Sequence, residues 1–206
     1  MHGHAVRPLL EIGRPMKTCN KAMKSVNILL SRRNSGFTLV ELMVSIAIAA
    51  ILMMVAVPSF VQFRQNAALS DAVSNFISAA NAARASAMKS GLNTYMVPNT
   101  GTSWNSGWIV YSDANWNQAF NPGTDTLVLG HDAVESSVTV VVSGATGGPN
   151  TLVDAYLLFN GSGYPRLNSG AFANGQIVMS NSARSSTIIF DQIGRVRSCK
   201  TLSIGC

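Results

Sequence analysis

GFTLVELMVSIAIAAILMMVAVP, residues 36–58, decides the architecture. From Phe37 to Val57 the chain is apolar for twenty-one residues, broken only by Thr38, Glu41 and Ser45. As a helix this run is about 31 Å long, the hydrocarbon thickness of a bilayer. Arg32 and Arg33 stand immediately before it. The positive-inside rule keeps them cytoplasmic and places everything after Val57 across the membrane. A secretory signal has a shorter apolar region followed by a small-residue cleavage site. Here the small residue, Gly36, comes first, so cleavage between Gly36 and Phe37 removes a leader and keeps the apolar helix. Glu41 then becomes the fifth residue of the product. A carboxylate within a span is costly and points to a function or a partner. It is read either as pairing with a terminal amine, of its own or a neighbouring chain, or as a tolerated charge at the membrane edge.

The succession Gly36, Phe37, Thr38 and Glu41, then an apolar run and Pro58, resembles the prepilin peptidase site of type IV pilins and type II secretion pseudopilins. That resemblance implies cleavage after Gly36 by the prepilin peptidase and N-methylation of Phe37. It also implies assembly of the helix with other pilin subunits into a filament core, with Glu41 facing a neighbour's N-terminus and Pro58 at a helix bend. The leader, 1–36, is long for this class. A start at Met23 gives the more usual MKSVNILLSRRNSG and leaves residues 1–22, with His2 and His4, outside it. No metal is assigned to that pair.

The 206 residues, 47% hydrophobic, accommodate one globular domain and a terminal appendage. The net charge of +6 suggests an anionic partner until it is mapped. Residues 1–36 hold seven Lys or Arg against Glu11, which accounts for all of it, and the chain from Phe37 onward is formally neutral. A global electrostatic case for DNA binding therefore fails, and any such activity must come from a local cluster. Cys199 and Cys206 close a small disulfide loop if the head lies outside the cytoplasm and are free thiols if it does not.

After Pro58 the helical pattern continues, with Leu69, Val73, Phe76, Ala80, Ala83 and Ala87 on one stripe. Asp71, Ser74, Asn75, Ser78 and Asn81 fill the other face, and Gly91 is a C-terminal stop. One long helix bent at Pro58 is expected, its second half packed on a head. Beyond Leu92, strands are expected at 94–97, 108–111, 126–129, 137–142, 155–159, 176–179, 186–190 and 195–198. Polar loops at 99–107, 112–125, 143–150 and 160–175 separate them. The expected fold is α+β and pilin-like: a long N-terminal helix, transmembrane in its first half, packed on an antiparallel β-sheet head. The expected divisions are a leader to residue 36, a membrane and filament-core helix over 37–60, and a periplasmic head over 61–206. Within the head, 61–90 is the amphipathic helix and 92–206 the β-rich part.

Within the head, Gly107-Trp108-Ile109-Val110-Tyr111-Ser112-Asp113-Ala114-Asn115 looks like a stretch of the GspH/FimT pseudopilin family. Ala82-Ala83-Arg84-Ala85-Ser86-Ala87 and the run Ile188 to Arg197 are similar to two further segments of that family.

No catalytic constellation is visible, so no enzyme activity and no cofactor are expected. His131 beside Asp132 is a candidate dyad, but a surface turn accounts for it better. Gly161-Ser162-Gly163 lacks the lysine and following helix of a phosphate loop and reads as a hairpin turn. Trp104, Trp108 and Trp116 offer a stacking platform, although Trp108 falls in a strand and is expected in the core.

Half of the eight cations after residue 36, Arg184, Arg195, Arg197 and Lys200, fall in the last twenty-three residues, opposed only by Asp191. If the residues after Gly194 are extended, Arg195 and Arg197 project from one face about 6.6 Å apart, a spacing that suits successive phosphates. The alternative is a solvated face or pairing with a neighbouring subunit's acids. A Gly-Arg-x-Arg motif at this place in FimT-like minor pilins is associated with DNA binding in natural transformation. The resemblance carries that role to Gly194, Arg195 and Arg197, and Lys200 and Arg184 are added by charge proximity. The expected function is a minor type IV pilin that binds double-stranded DNA without sequence preference. Its rival is a type II secretion pseudopilin without DNA binding.

Overall fold

The computed structural model describes residues 36–143, Leu152 and 155–200. They fall into two compact units that divide between Val44 and Ser45. Helix α1 is assigned continuously over Leu39–Ser90. Thr38 caps it: its Oγ1 accepts a hydrogen bond of 3.2 Å from the backbone N–H of Glu41. Thr38 and Glu41 therefore have the spacing of a capping box. Pro58 lies inside the helix without ending it, although its missing N–H leaves the Met54 carbonyl without a helical donor. At the other end Gly91 takes φ +72°, and its N–H bonds to the Ala87 carbonyl at 2.8 Å, which is the expected stop.

Residues 39–64 of α1 are exposed, and the helix is long and apolar enough to cross a membrane. From Leu69 the helix buries a stripe that contains all six expected residues together with Ala72 and Ala79. The five residues assigned to its polar face are exposed. Fully burying Phe76 contributes roughly 1.5–3 kcal/mol.

Two antiparallel sheets receive this stripe. In the first, strands β1 (Asn93–Pro98), β2 (Trp108–Asp113), β3 (Thr126–His131), β5 (Leu157–Phe159) and β6 (Pro165–Arg166) take the order β3-β2-β1-β5-β6. In the second, β4 (Thr139–Ser143), β7 (Gly175–Ser180), β8 (Ser185–Phe190) and β9 (Val196–Lys200) take the order β4-β7-β8-β9. One core joins Phe76, Ala80 and Ala83 of the helix to Met96, Trp108, Val110 and Phe159 of the first sheet and Ile177, Ile188 and Phe190 of the second. Phe76 meets Trp104 and Trp108 edge-on, at centroid distances of 5.5 and 5.3 Å. The far face of the first sheet carries its own cluster of Tyr95, Tyr111 and Leu158.

Each of the eight expected strands occurs, with ends shifted by a residue or two. The short β6 and a 3-10 turn at Trp104–Ser106 lie in segments read as loops. A two-residue strand has too little periodicity to register in sequence.

Candidate functional site

The C-terminal hairpin is built around Asp191. Its Oδ1 accepts hydrogen bonds from the N–H groups of Ile193 (3.2 Å) and Arg195 (2.9 Å). Its backbone carbonyl accepts from Gly194 at 2.9 Å, and its N–H donates to the Arg195 carbonyl at 3.1 Å. Gly194 sits at φ +80°, a conformation that glycine adopts at little cost. The chain then enters β9, with Val196 opposite Phe190 and Arg197 opposite Ile189. Alternation places Arg195 and Arg197 on one face of this edge strand, about 6.6 Å apart along the chain. Both are exposed, and among the described residues no carboxylate lies within ion-pair reach of either.

Helix α1 fixes the hairpin. The guanidinium of Arg84 donates from Nη1 to the Gly194 carbonyl (2.9 Å) and from Nη2 to the Ile193 carbonyl (3.1 Å). A methyl group on Gly194 would stand 2.5 Å from the Gly163 carbonyl oxygen, so the turns after β5 and β8 pack backbone to backbone. Arg84 received no role from sequence, because its partners lie more than a hundred residues away. Two positions on, Ser86 Oγ bonds Ser112 Oγ at 3.0 Å, and Ser112 Oγ meets Thr94 Oγ1 at 2.9 Å. Three segments that looked alike to one family, on the helix, in β2 and at the last turn, therefore meet through Arg84 and Ser86.

The four C-terminal cations do not form one patch. Arg184 belongs to the turn between β7 and β8, where Asn181 N–H donates to its carbonyl at 2.9 Å. That turn is tied to the helix at Gln65 and Asn66 through Asn181 and Ser182. Lys200 is at the same end of the hairpin, since its neighbour across the ladder is Ser186. Six steps of extended chain from Arg184 to Phe190 span about 20 Å, beyond a Debye length at physiological salt. Proximity in sequence grouped residues that an antiparallel hairpin holds apart.

The other expectations resolve individually. His131 is the last residue of β3 rather than a turn residue, and its ring stacks on Trp108 at 4.3 Å. Its Nδ1 faces the Asp132 backbone carbonyl and its Nε2 the Asn75 amide, so no His–carboxylate dyad exists. Residues 160–163 form the hairpin turn between β5 and β6. Trp104 and Trp108 are buried, and only Trp116 is exposed, which removes the three-tryptophan platform. Among the described residues no group of His, Cys, Asp or Glu has metal-binding geometry. Cys199 is in β9, while Cys206 and the leader before Gly36 lie outside the described residues.

A membrane-length apolar helix, continuous with a stripe that packs on antiparallel sheets, defines a pilin-like α+β protein. The family model for type II transport protein GspH matches residues 72–194, more than half of the chain, and the protein belongs to the GspH family. The prokaryotic N-terminal methylation motif matches residues 31–57. The protein is thus a minor pilin or pseudopilin, of a type IV pilus or a type II secretion system. Membership implies processing by prepilin peptidase and membrane-anchored assembly with other pilins. Such families are structural rather than enzymatic.

Among solved structures, one similar chain is the type IV minor pilin FimU of Pseudomonas aeruginosa strain PAO1. It has 13% identity and a TM-score of 0.48, with 66% of this chain and 90% of that one covered. The minor pseudopilin EpsH from the type 2 secretion system of Vibrio cholerae has 8% identity and a TM-score of 0.42, with 65% and 98% covered. No curated protein matches the chain significantly.

Proposed function

We propose that this protein is a minor type IV pilin of FimT type, which binds double-stranded DNA without sequence preference for uptake in natural transformation. The observation that carries the proposal is the pair Arg195 and Arg197, both exposed and, among the described residues, without carboxylate partners, side by side after a turn clamped to the filament helix. Two guanidinium forks at that spacing meet adjacent phosphates, while Gly194 and Arg84 set their position. Arg184 and Lys200 contribute at the other end of the hairpin, through a second stretch of backbone. The leader ends at Gly36, residues 37–60 form the inner-membrane and filament-core helix with Glu41 and Pro58, and residues 61–206 form a periplasmic head. Assembly carries that head to the outside of the cell. A bond from Cys199 to Cys206 closes the C-terminus, and the disulfide-bonded state of Cys199 supports it.

The test is the salt dependence of duplex binding. Replacing both Arg195 and Arg197 by Gln is expected to weaken binding uniformly across sequences. It is also expected to flatten the slope of log K against log salt by about 1.8, two phosphate contacts' worth. An unchanged slope in a folded double variant rejects the DNA role. The description of the matching family as a type II transport protein favours a second reading, a secretion pseudopilin whose head contacts protein. Wild-type protein that fails to retard duplex DNA at low salt selects that alternative.

A further inference from the structure

The far face of the first sheet carries a groove that no pilin role above uses. Its floor includes Tyr95 and Leu158, and it encloses about 540 Å³. An adjoining depression of about 640 Å³ shares Tyr95, Gln118 and Asn168 with it, so the two form one track. Each is within the size range of small-molecule sites, roughly 300–1,000 Å³.

Trp116 stands at one wall, 61% exposed. It holds φ +62°, and Gln118 holds φ +64°. Two L-residues in the left-handed region within three positions is an arrangement that surrounding structure must enforce, and such strain gathers at functional sites. Two buried carboxylates enforce it. Asp113 accepts from the N–H groups of Asn117 (3.3 Å) and Gln118 (2.9 Å). Asp125 accepts from those of Ala114 (2.9 Å) and Asn121 (2.7 Å). The loop thus presents an indole to solvent on a rigid frame, where burying it or relaxing the backbone would be the cheaper arrangement.

Around the indole, amides converge. Asn168 Oδ1 accepts from the Tyr95 hydroxyl and Asn160 Oδ1 from the N–H groups of Ser162 and Tyr164, which orients both side chains. Their Nδ2 groups, with the side-chain amides of Asn93 and Gln118, make no hydrogen bond among the described residues. The charges at the groove are already engaged: Asp113 on the loop backbone, Arg166 on the Phe172 ring (3.7 Å) and the Gly170 carbonyl (3.1 Å). Among the described residues Arg166 is the one cation in the lining, and the buried Asp113 carboxylate lines the same groove, a balance that does not favour a polyanion. Aromatic and apolar surface from Tyr95, Trp116 and Leu158 alternates with side-chain amides, a mixture that matches the C–H faces and hydroxyls of a sugar.

We propose that this groove binds a neutral oligosaccharide. One pyranose C–H face stacks on Trp116, and hydroxyl pairs, each both donor and acceptor, meet the free amides. The length of the track suits several sugar units. The site is independent of Arg195 and Arg197.

The test uses mature full-length protein in a detergent without a sugar headgroup, titrated with cellohexaose, maltohexaose, chitohexaose and mannohexaose. Saturable, millimolar quenching of the exposed-tryptophan emission by at least one is expected. Asn168→Ala should weaken that binding about tenfold, a loss of one or two well-placed hydrogen bonds. Trp116→Gly should abolish it while the melting temperature holds or rises, because glycine relieves the backbone that tryptophan strains. A silent titration with all four hexaoses overturns the proposal, as does sugar binding that survives Trp116→Gly. It is overturned too if Trp116→Gly lowers the melting temperature, which marks the indole as packing, or if DNA rather than sugar protects Trp116.

Discussion

Alanine at Gly194 attacks the joint between helix and C-terminal hairpin at its tightest point. Gly194 adopts φ +80°, and its added Cβ would lie 2.5 Å from the Gly163 carbonyl oxygen and 3.2 Å from Arg84 Cζ. The left-handed backbone alone costs an L-residue about 1–2 kcal/mol. A methyl group cannot remain at 2.5 Å from a backbone oxygen, so the turn must withdraw, and the carbonyls of Ile193 and Gly194 withdraw with it from Arg84. Losing one hydrogen bond to a charged donor adds about 1.5–3 kcal/mol. The sum is on the order of 2.5–5 kcal/mol, toward the severe end for single substitutions.

Gly170 supplies the internal control, because it has φ +87° but nothing within 4 Å of an added Cβ. Gly170→Ala should cost only the backbone share, about 1–2 kcal/mol. Urea unfolding followed by the fluorescence of buried Trp104 and Trp108 measures both. Gly194→Ala should also lower DNA affinity under conditions where the head stays folded, since Arg195 moves with the turn. Equal losses at Gly194 and Gly170 refute the idea that Arg84 and Gly163 clamp the hairpin.

Replacing Gly36 by a bulky residue should leave the leader attached, seen as a heavier product whose N-terminus is not methylated Phe37; normal maturation contradicts the processing scheme. Ser86→Ala should cost about 1 kcal/mol, the net worth of one hydrogen bond, because Ser112 keeps its bond to Thr94; a neutral effect in urea unfolding shows that the hydroxyl chain does not tie helix to sheet. Burial, followed by the Asp113 charge and then Tyr156, raises the Tyr95 phenol from 10.0 to about 12. The unfolded chain therefore loses this proton first, and the stability that depends on it is intact below pH 10 and lost as pH rises toward 12. Tyr111 is raised too, mainly by burial. Tyr95→Phe, which cannot ionise, should show a shallower alkaline decline, and an identical decline refutes the assignment.

Much of the fold is legible because periodicity reports burial. The stripe from Leu69 to Ala87 and the alternation in β7, where Gly175, Ile177 and Met179 are buried, are signals a chain cannot hide. The helix stop at Gly91 and the turn at 160–163 are legible for a different reason, since both rest on local backbone chemistry. The capping spacing of Thr38 and Glu41 is legible in the same way, because the two stand three residues apart just ahead of the apolar run. Long-range polar pairing left no trace. Nothing near Arg84 names Gly194, and nothing near Arg184 reveals that the hairpin carries it away from Arg195. Trp116 reads like the other two tryptophans until the loop conformation exposes it.

Apolar burial is non-directional, and the alanines that face the sheets, Ala79, Ala80, Ala83 and Ala87, allow close approach without fixing position along the helix. The polar ties do fix it. Strand β8 is pinned to α1 at Gln65 and Asn66 through the turn before it and at Arg84 through the turn after it. From Asn66 to Arg84 the helix rises about 27 Å, a little more than the seven extended steps, about 23 Å, from Arg184 to Asp191. A hairpin held at both ends against a rod of nearly matching length cannot slide by a turn, because each slip would strand a charged or amide donor. Arg195 and Arg197 thereby have a defined height on α1. Once that helix is packed in a filament, their height sets where each subunit offers its guanidinium pair, and copies related by the filament's symmetry offer theirs at regular intervals.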